Sequence, residues 1–167
     1  ETLSDGYLYG GQGSLLLTDR SIYPSSFDYR YKNLFKILDG TTLYVTRKYE
    51  SLSNVSAAFK NRIPMIRISE MYYIAAECEG DGTLATDYLN AVRNNRGLTA
   101  EKLENLTPDL LKNEIFKEYQ KEFYGEGQLW YYYKRTLAPT IEANKNYFTS
   151  IDLYTFDRPE NEDAYRF

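Results

Sequence analysis

Ile66–Gly97 reads IRISEMYYIAAECEGDGTLATDYLNAVRNNRG, and the reading of this stretch decides the fold. Ile68, Met71, Ala75 and Cys78 recur at helical spacing, with Tyr72 and Ile74 widening the stripe. Pro64 pre-sets the entry to that helix, and Glu79-Gly80-Asp81-Gly82 stops it. Thr83 can cap a second helix, whose buried side is expected to include Leu84, Tyr88, Ala91 and Val92. Gly97 follows Arg93 and Arg96, the cation-then-glycine order at which helices end. The short link makes the two helices antiparallel neighbours, and Ala75, Ala76 and Ala91 are small enough to let them approach closely.

A third helix starts at Thr107, an N-cap, with Pro108 at the first helical position and Asp109 at the positive helix end. Its stripe is Leu111, Ile115, Tyr119 and Phe123, with Phe116 beside them. Tyr124-Gly125-Glu126-Gly127 interrupts it, and Gln128–Arg135 is expected to resume as a short aromatic helix ended by Pro139. Residues 144–167 read as extended or irregular, with an acidic patch at Asp157, Glu160, Glu162 and Asp163.

Before Pro64 the character is different. GYLYGGQGSLLL carries Gly6, Gly10, Gly11 and Gly13, which suit turns. Tyr23–Tyr31, YPSSFDYRY, is loop-like. Thr41–Tyr49 is β-branched and aromatic, and Asp39-Gly40 ahead of it signals a hairpin. The fold class is therefore mostly α: a tetratricopeptide-like helix hairpin plus a third long helix, with a small β or irregular N-terminal region and an extended C-terminal tail. The expected division is an entry region over 1–62, a helical core over 63–137 and a tail over 138–167. Glu1, without Met or a leader-like apolar segment, points to a processed chain or a piece of a longer one.

Composition excludes whole classes of chemistry. There are 167 residues and no histidine, so neither a Ser-His nor a Cys-His nucleophile pair can be assembled. One cysteine, Cys78, and no imidazole cannot hold zinc, and no metal or cofactor is expected. A net charge of −4 offers no basic field to phosphate backbones, so no nucleic acid is expected as a partner. Glu118 and Glu122 lie one turn apart on one face, but side-by-side carboxylates do not flank a sugar from opposite sides as hydrolysis requires. Together with Arg67, Glu70, Glu77, Arg93 and Arg96 they read as solvated charge or as internal ion pairs that fix helix packing. No catalytic residue is expected.

Tyrosine occurs 18 times. The run Trp130–Tyr133 points in several directions around a helix, so most of it is expected to pack. Tyr7, Tyr9, Tyr23, Tyr44 and Tyr49 instead lie in loops and short strands outside the helical stripes, where binding chemistry concentrates. They are the candidate ligand-binding residues, offering rings to the apolar faces of sugars.

Taken in order, DYRYKNLFK (Asp28–Lys36), IPMIRISEMYYIAAEC (Ile63–Cys78), ATDYLNAVRNNRGL (Ala85–Leu98), EYQKEFYGEGQLWYYYKR (Glu118–Arg135) and RPENEDAYR (Arg158–Arg166) resemble the C-terminal part of the SusD/RagB family, surface lipoproteins of Bacteroidetes. The resemblance covers most of 28–167. It departs at Tyr132 and Tyr133, where the larger branch has Asp-Leu, and at Phe156-Asp157 before Arg158-Pro159, so substrate does not transfer. The resemblance implies non-catalytic capture of glycans or similar nutrients at the outer-membrane surface. It implies a SusC-like TonB-dependent transporter as partner, and membrane attachment only through an N-terminal lipid anchor absent from this chain. The alternatives weighed are a helical-repeat scaffold for protein–protein interaction and a glycoside hydrolase.

Overall fold

The computed structural model describes residues 20–23, 25–48, 64–80, 82–138 and 154. Tyr7, Tyr9, Tyr49, the glycine-rich start and nearly all of the expected tail lie outside the described residues. The chain divides into two compact units, residues 1–126 and 127–167.

In the first unit, Tyr29–Leu34 (α1) leads into a two-stranded antiparallel hairpin, Phe35–Ile37 (β1) and Tyr44–Thr46 (β2). The three helices follow: Ile68–Glu79 (α2), Gly82–Asn94 (α3) and Pro108–Glu122 (α4). The fold is mostly helical with a small two-stranded N-terminal region, and the hairpin plus third long helix are as the sequence predicts. The hairpin turns at Gly40, whose φ of 73° is open to glycine without strain. Thr107 caps α4 by accepting from the Leu110 amide, with Pro108 just inside.

α4 buries the predicted stripe. Leu111, Ile115 and Phe123 are each 1% exposed and Tyr119 6%. Buried as well are Tyr73 and Ala76 of α2, Ala85, Leu89 and Val92 of α3, and Leu98. The Tyr73 and Tyr119 rings are 5.2 Å apart, and Tyr119 continues to Phe123 at 5.6 Å. Asn90 ties the loop after α3 to the helix, donating to the Leu103 carbonyl and accepting from its amide, both at 2.9 Å.

Three expectations are corrected. The α2 stripe faces outward: Ile68 is 79% exposed, Met71 46%, and Cys78 is exposed as well. The inward face is Ser69, Tyr73 and Ala76. A helix apolar on two sides gives no single direction to its periodicity. The polar Ser69 points in because Glu122 is there to accept from it, at 3.0 Å. On α3, Leu84 is 49% exposed while Ala85, Leu89 and Val92 are buried, a rotation of about one residue. Finally, 23–31 is not all loop. Asp28 accepts from the Arg30 amide as an N-cap and starts α1.

The second unit contains the aromatic helix, Leu129–Thr136 (α5). It ends at Leu137, in the left-handed region with φ 48°. Tyr133 is buried, and Trp130 lies 5.3 Å from the Tyr154 ring, whose hydroxyl donates to the Ala138 carbonyl. Tyr131 is 70% exposed, so the run splits between packing and surface.

Candidate functional site

The entry region is fastened to the helices by buried charge. Arg30 on α1 is 4% exposed, and its guanidinium spends every donor nitrogen on carboxylates. Nε and Nη2 donate to the two oxygens of Asp28, at 3.0 and 2.8 Å. Nη1 donates to Glu118 at 2.8 Å and, more loosely, to Glu122 at 3.4 Å. Glu118, 0% exposed, also accepts from Arg93 of α3 and from Lys121 of its own helix. Glu122 accepts from Ser69 of α2 and takes both Nε and Nη2 of Arg96. Two carboxylates one turn apart on α4 thus gather cations from α1, α3 and the turn after α3.

The end of α4 is finished in the same way. Its last carbonyls have no partner within the helix. The Tyr23 hydroxyl donates to the Lys121 carbonyl at 2.9 Å, and Arg67 and Lys48 both donate to that of Glu122. Arg67 and Lys48 also pair with the Glu126 carboxylate in the turn that follows. Cations at a helix C-terminus face its negative end, so these contacts are favourable twice over.

Electrostatics follow from this geometry. Burial alone would raise the Glu118 carboxyl; Arg30 and Lys121 outweigh it and bring it down to about 2. Burial likewise opposes ionisation of Glu122, and Arg96 reverses the sign, so it too is lowered. Burial works against the Arg30 charge, and Glu118 and Asp28 more than offset it. Burial raises the Tyr23 and Tyr73 hydroxyls. Neither glutamate has the raised carboxyl that a general acid needs. Among the described residues no group of side chains could hold a metal.

The ion network leaves an aromatic surface at the front of the entry region. Tyr23 and Phe35 are buried, edge to face at 5.5 Å, and Tyr124 meets Phe35 at 5.3 Å. Tyr31 lies 5.8 Å from Tyr23 and stacks on Tyr44 at 6.0 Å and 22°. Both are half-buried, and Ile37, the strand partner of Tyr44, is 51% exposed. Of the candidate tyrosines, the structure therefore brings Tyr23 and Tyr44 into one cluster. Tyr23 is its buried floor, and Tyr44 its half-buried upper surface. Tyr31, absent from the sequence-based set, belongs with them. It sits on a helix that the Asp28 N-cap starts, a local signal present in the sequence.

A separate polar groove of about 340 Å³ runs between the start of α3 and the loop 102–106. It is lined by Thr83, Asp87, Lys102, Glu104 and Asn105 among others, and among the described residues no aromatic ring borders it.

The residues that fasten the entry region come from the same blocks that carry the sequence resemblance: Asp28 and Arg30, Arg67 and Ser69, Arg93 and Arg96, Glu118, Lys121, Glu122 and Glu126. The family model described as SusD family matches residues 31–167.

The chain belongs to the SusD family.

No curated protein and no solved structure matches it. SusD-family proteins are generally non-catalytic, nutrient- or glycan-binding proteins of the outer membrane, typically surface lipoproteins, and they generally work with SusC-like transporters. In this SusD-family chain, no helix among the described residues is long and apolar enough to cross a membrane.

Proposed function

We propose that this chain captures glycans or related nutrients at the bacterial outer-membrane surface and delivers them to a TonB-dependent transporter of the SusC type. The contact is assigned to the tyrosines of the entry region, Tyr7, Tyr9, Tyr23, Tyr44 and Tyr49; of the two described, Tyr44 is half-buried and Tyr23 is buried in the cluster it packs against. One observation carries this reading. The Tyr31–Tyr44 stack rests on a buried aromatic floor that is itself pinned, through Tyr23, to the end of α4. Rings held in place by a rigid frame lose little freedom on binding, so weak stacking suffices for capture and still permits release. In this reading the protein is a surface lipoprotein, held to the membrane by its lipid.

Calorimetry with a panel of oligosaccharides tests the reading. Binding by the wild-type chain should weaken about tenfold or more in Tyr44→Ala and in the double variant Tyr7→Ala/Tyr9→Ala. Unchanged affinity in both would remove the tyrosine surface from the argument.

A second reading, a helical scaffold for protein partners, is favoured by the outward face of α2. Met65, Ile66 and Ile68 are each more than three-quarters exposed, and Met71 lies beside them. Single exposed apolar residues are ordinary, whereas a contiguous group marks a contact surface. Ile68→Ser/Met71→Ser would reduce transporter binding and leave sugar affinity intact if this face serves a partner.

A further inference from the structure

Arg20–Lys48 holds six cationic side chains and two carboxylates, in a chain whose overall charge is −4. Of the two carboxylates, Asp28 is buried against Arg30, which leaves Asp39 at the hairpin turn. Of the six cations, Arg30 is committed to Asp28, Glu118 and Glu122, and Lys48 to Glu126. At the outer edge of the aromatic surface stands Arg20, which is exposed. Its Nη2 donates to the Tyr31 hydroxyl at 2.6 Å, and its guanidinium carbon lies 4.3 Å from the centre of the Tyr44 ring and 5.8 Å from that of Tyr31. It makes no ion pair with a carboxylate among the described residues. A surface arginine without such a partner ordinarily samples many rotamers. This one is held by a hydrogen bond and two rings, with Nε and Nη1 not engaged by any described residue.

We propose that the tyrosine surface takes anionic saccharides, sugars bearing a carboxylate or a sulfate ester. Arg20 is the partner of the anion, and Tyr44 and Tyr31 meet the C–H face of the ring. This deepens the glycan reading above and rests on it. A guanidinium is weakly hydrated, presents a planar fork to an oxyanion and keeps its charge while stacked on an aromatic face. A neutral sugar uses none of these properties. The acidic remainder of the chain does not defeat the contact, because charges more than about 8–10 Å away are screened at physiological salt.

Three probes test it by calorimetry on the chain: a galacturonate oligomer, a sulfated galactose oligomer and the uncharged galactose oligomer. One charged oligomer should bind at least about tenfold more tightly than the uncharged one, as hydrogen bonds to a charged group imply, and the tighter of the two identifies the anion. Arg20→Gln should abolish that preference, lowering affinity for the charged oligomer at least about tenfold more than for the uncharged one. Arg20→Lys should keep part of it, having the charge without the fork. Equal affinity for charged and uncharged oligomers, or a preference that survives Arg20→Gln, overturns the inference and leaves the glycan reading standing. Failure of all three oligomers to bind overturns both. If Arg20→Gln lowers the melting temperature and every affinity together, Arg20 is only a brace for the two rings and the inference falls.

Discussion

Arg30→Met removes the centre of the ion network at nearly constant volume. The cost can be worked from what each partner keeps. Glu118 retains Arg93 and Lys121. Glu122 retains Arg96 and the Ser69 hydroxyl. Asp28, 1% exposed, retains only the amide of residue 30. The stranded charge is therefore on Asp28, and breaking a buried pair in this way costs about 3–5 kcal/mol. A chain of this size loses roughly 2–4 °C of melting temperature per kcal/mol, so the melt should fall by on the order of 10 °C. Thermal and urea unfolding followed by circular dichroism would read this. Asp28→Asn in the same background neutralises the stranded carboxylate and should recover part of the loss. The double variant should thus be less damaged than the sum of the singles by at least about 1 kcal/mol. A melt within about 2 °C of wild type for Arg30→Met, or strict additivity in the cycle, would refute the account of Arg30 as the fastening of the entry region.

Acid should weaken the protein through Glu118. Its folded carboxyl lies at about 2 against an ordinary 4.5, so the stabilisation is complete above about pH 4.5 and is lost as pH falls toward 2. The contribution is on the order of 3 kcal/mol, and Glu118→Gln should flatten that part of a stability-versus-pH curve measured by urea unfolding. Gly97→Ala should destabilise by about 2–4 kcal/mol in the same assay, because the backbone there is left-handed at φ 88° and a Cβ would sit 2.6 Å from the Phe27 carbonyl oxygen. Tyr23→Phe should cost about 1 kcal/mol by removing the bond to the Lys121 carbonyl, whereas Tyr73→Phe, whose buried hydroxyl has no protein partner among the described residues, should cost less. Equal losses for the two would contradict the hydrogen bonding seen here.

Helix positions were legible where local chemistry sets them. Thr107-Pro108 announced α4, the Leu111–Phe123 stripe named its buried face, and Asp39-Gly40 marked the hairpin. The facing of α2 was not legible. Its outer residues Ile68 and Met71 are more apolar than the inner Ser69, and the choice is made by Glu122 and Tyr119, about fifty residues away. For the same reason the ion network was visible only as a question. Arg93, Arg96, Glu118 and Glu122 could be read as internal pairs or as solvated charge, and nothing local to Arg30 showed that it closes the set. On the binding side, Tyr44 was found by its place in a strand. Tyr31 is hard to read from sequence because the short helix carrying it depends on a single aspartate cap. Tyr23 showed as a loop tyrosine, although its hydroxyl is committed to a helix end nearly a hundred residues later.

The reach of that fastening has a consequence for the order of assembly. Arg30 and Glu118 are 88 positions apart. Closing a loop of that length costs roughly 4 kcal/mol in chain entropy before any contact across it can form. The helix hairpin needs only a two-residue link, and the third helix follows after thirteen residues, both far shorter than 88. The helices should therefore come together first, with the aromatic segment laid onto a finished frame. Its amides, beginning with that of Tyr29 on the Arg96 carbonyl, should open to hydrogen exchange as one cooperative group while those of Leu111–Tyr119 stay closed. The surface assigned to nutrient capture is then a separable leaf of the fold, firm while seated on the helices and lifted from them only as one piece.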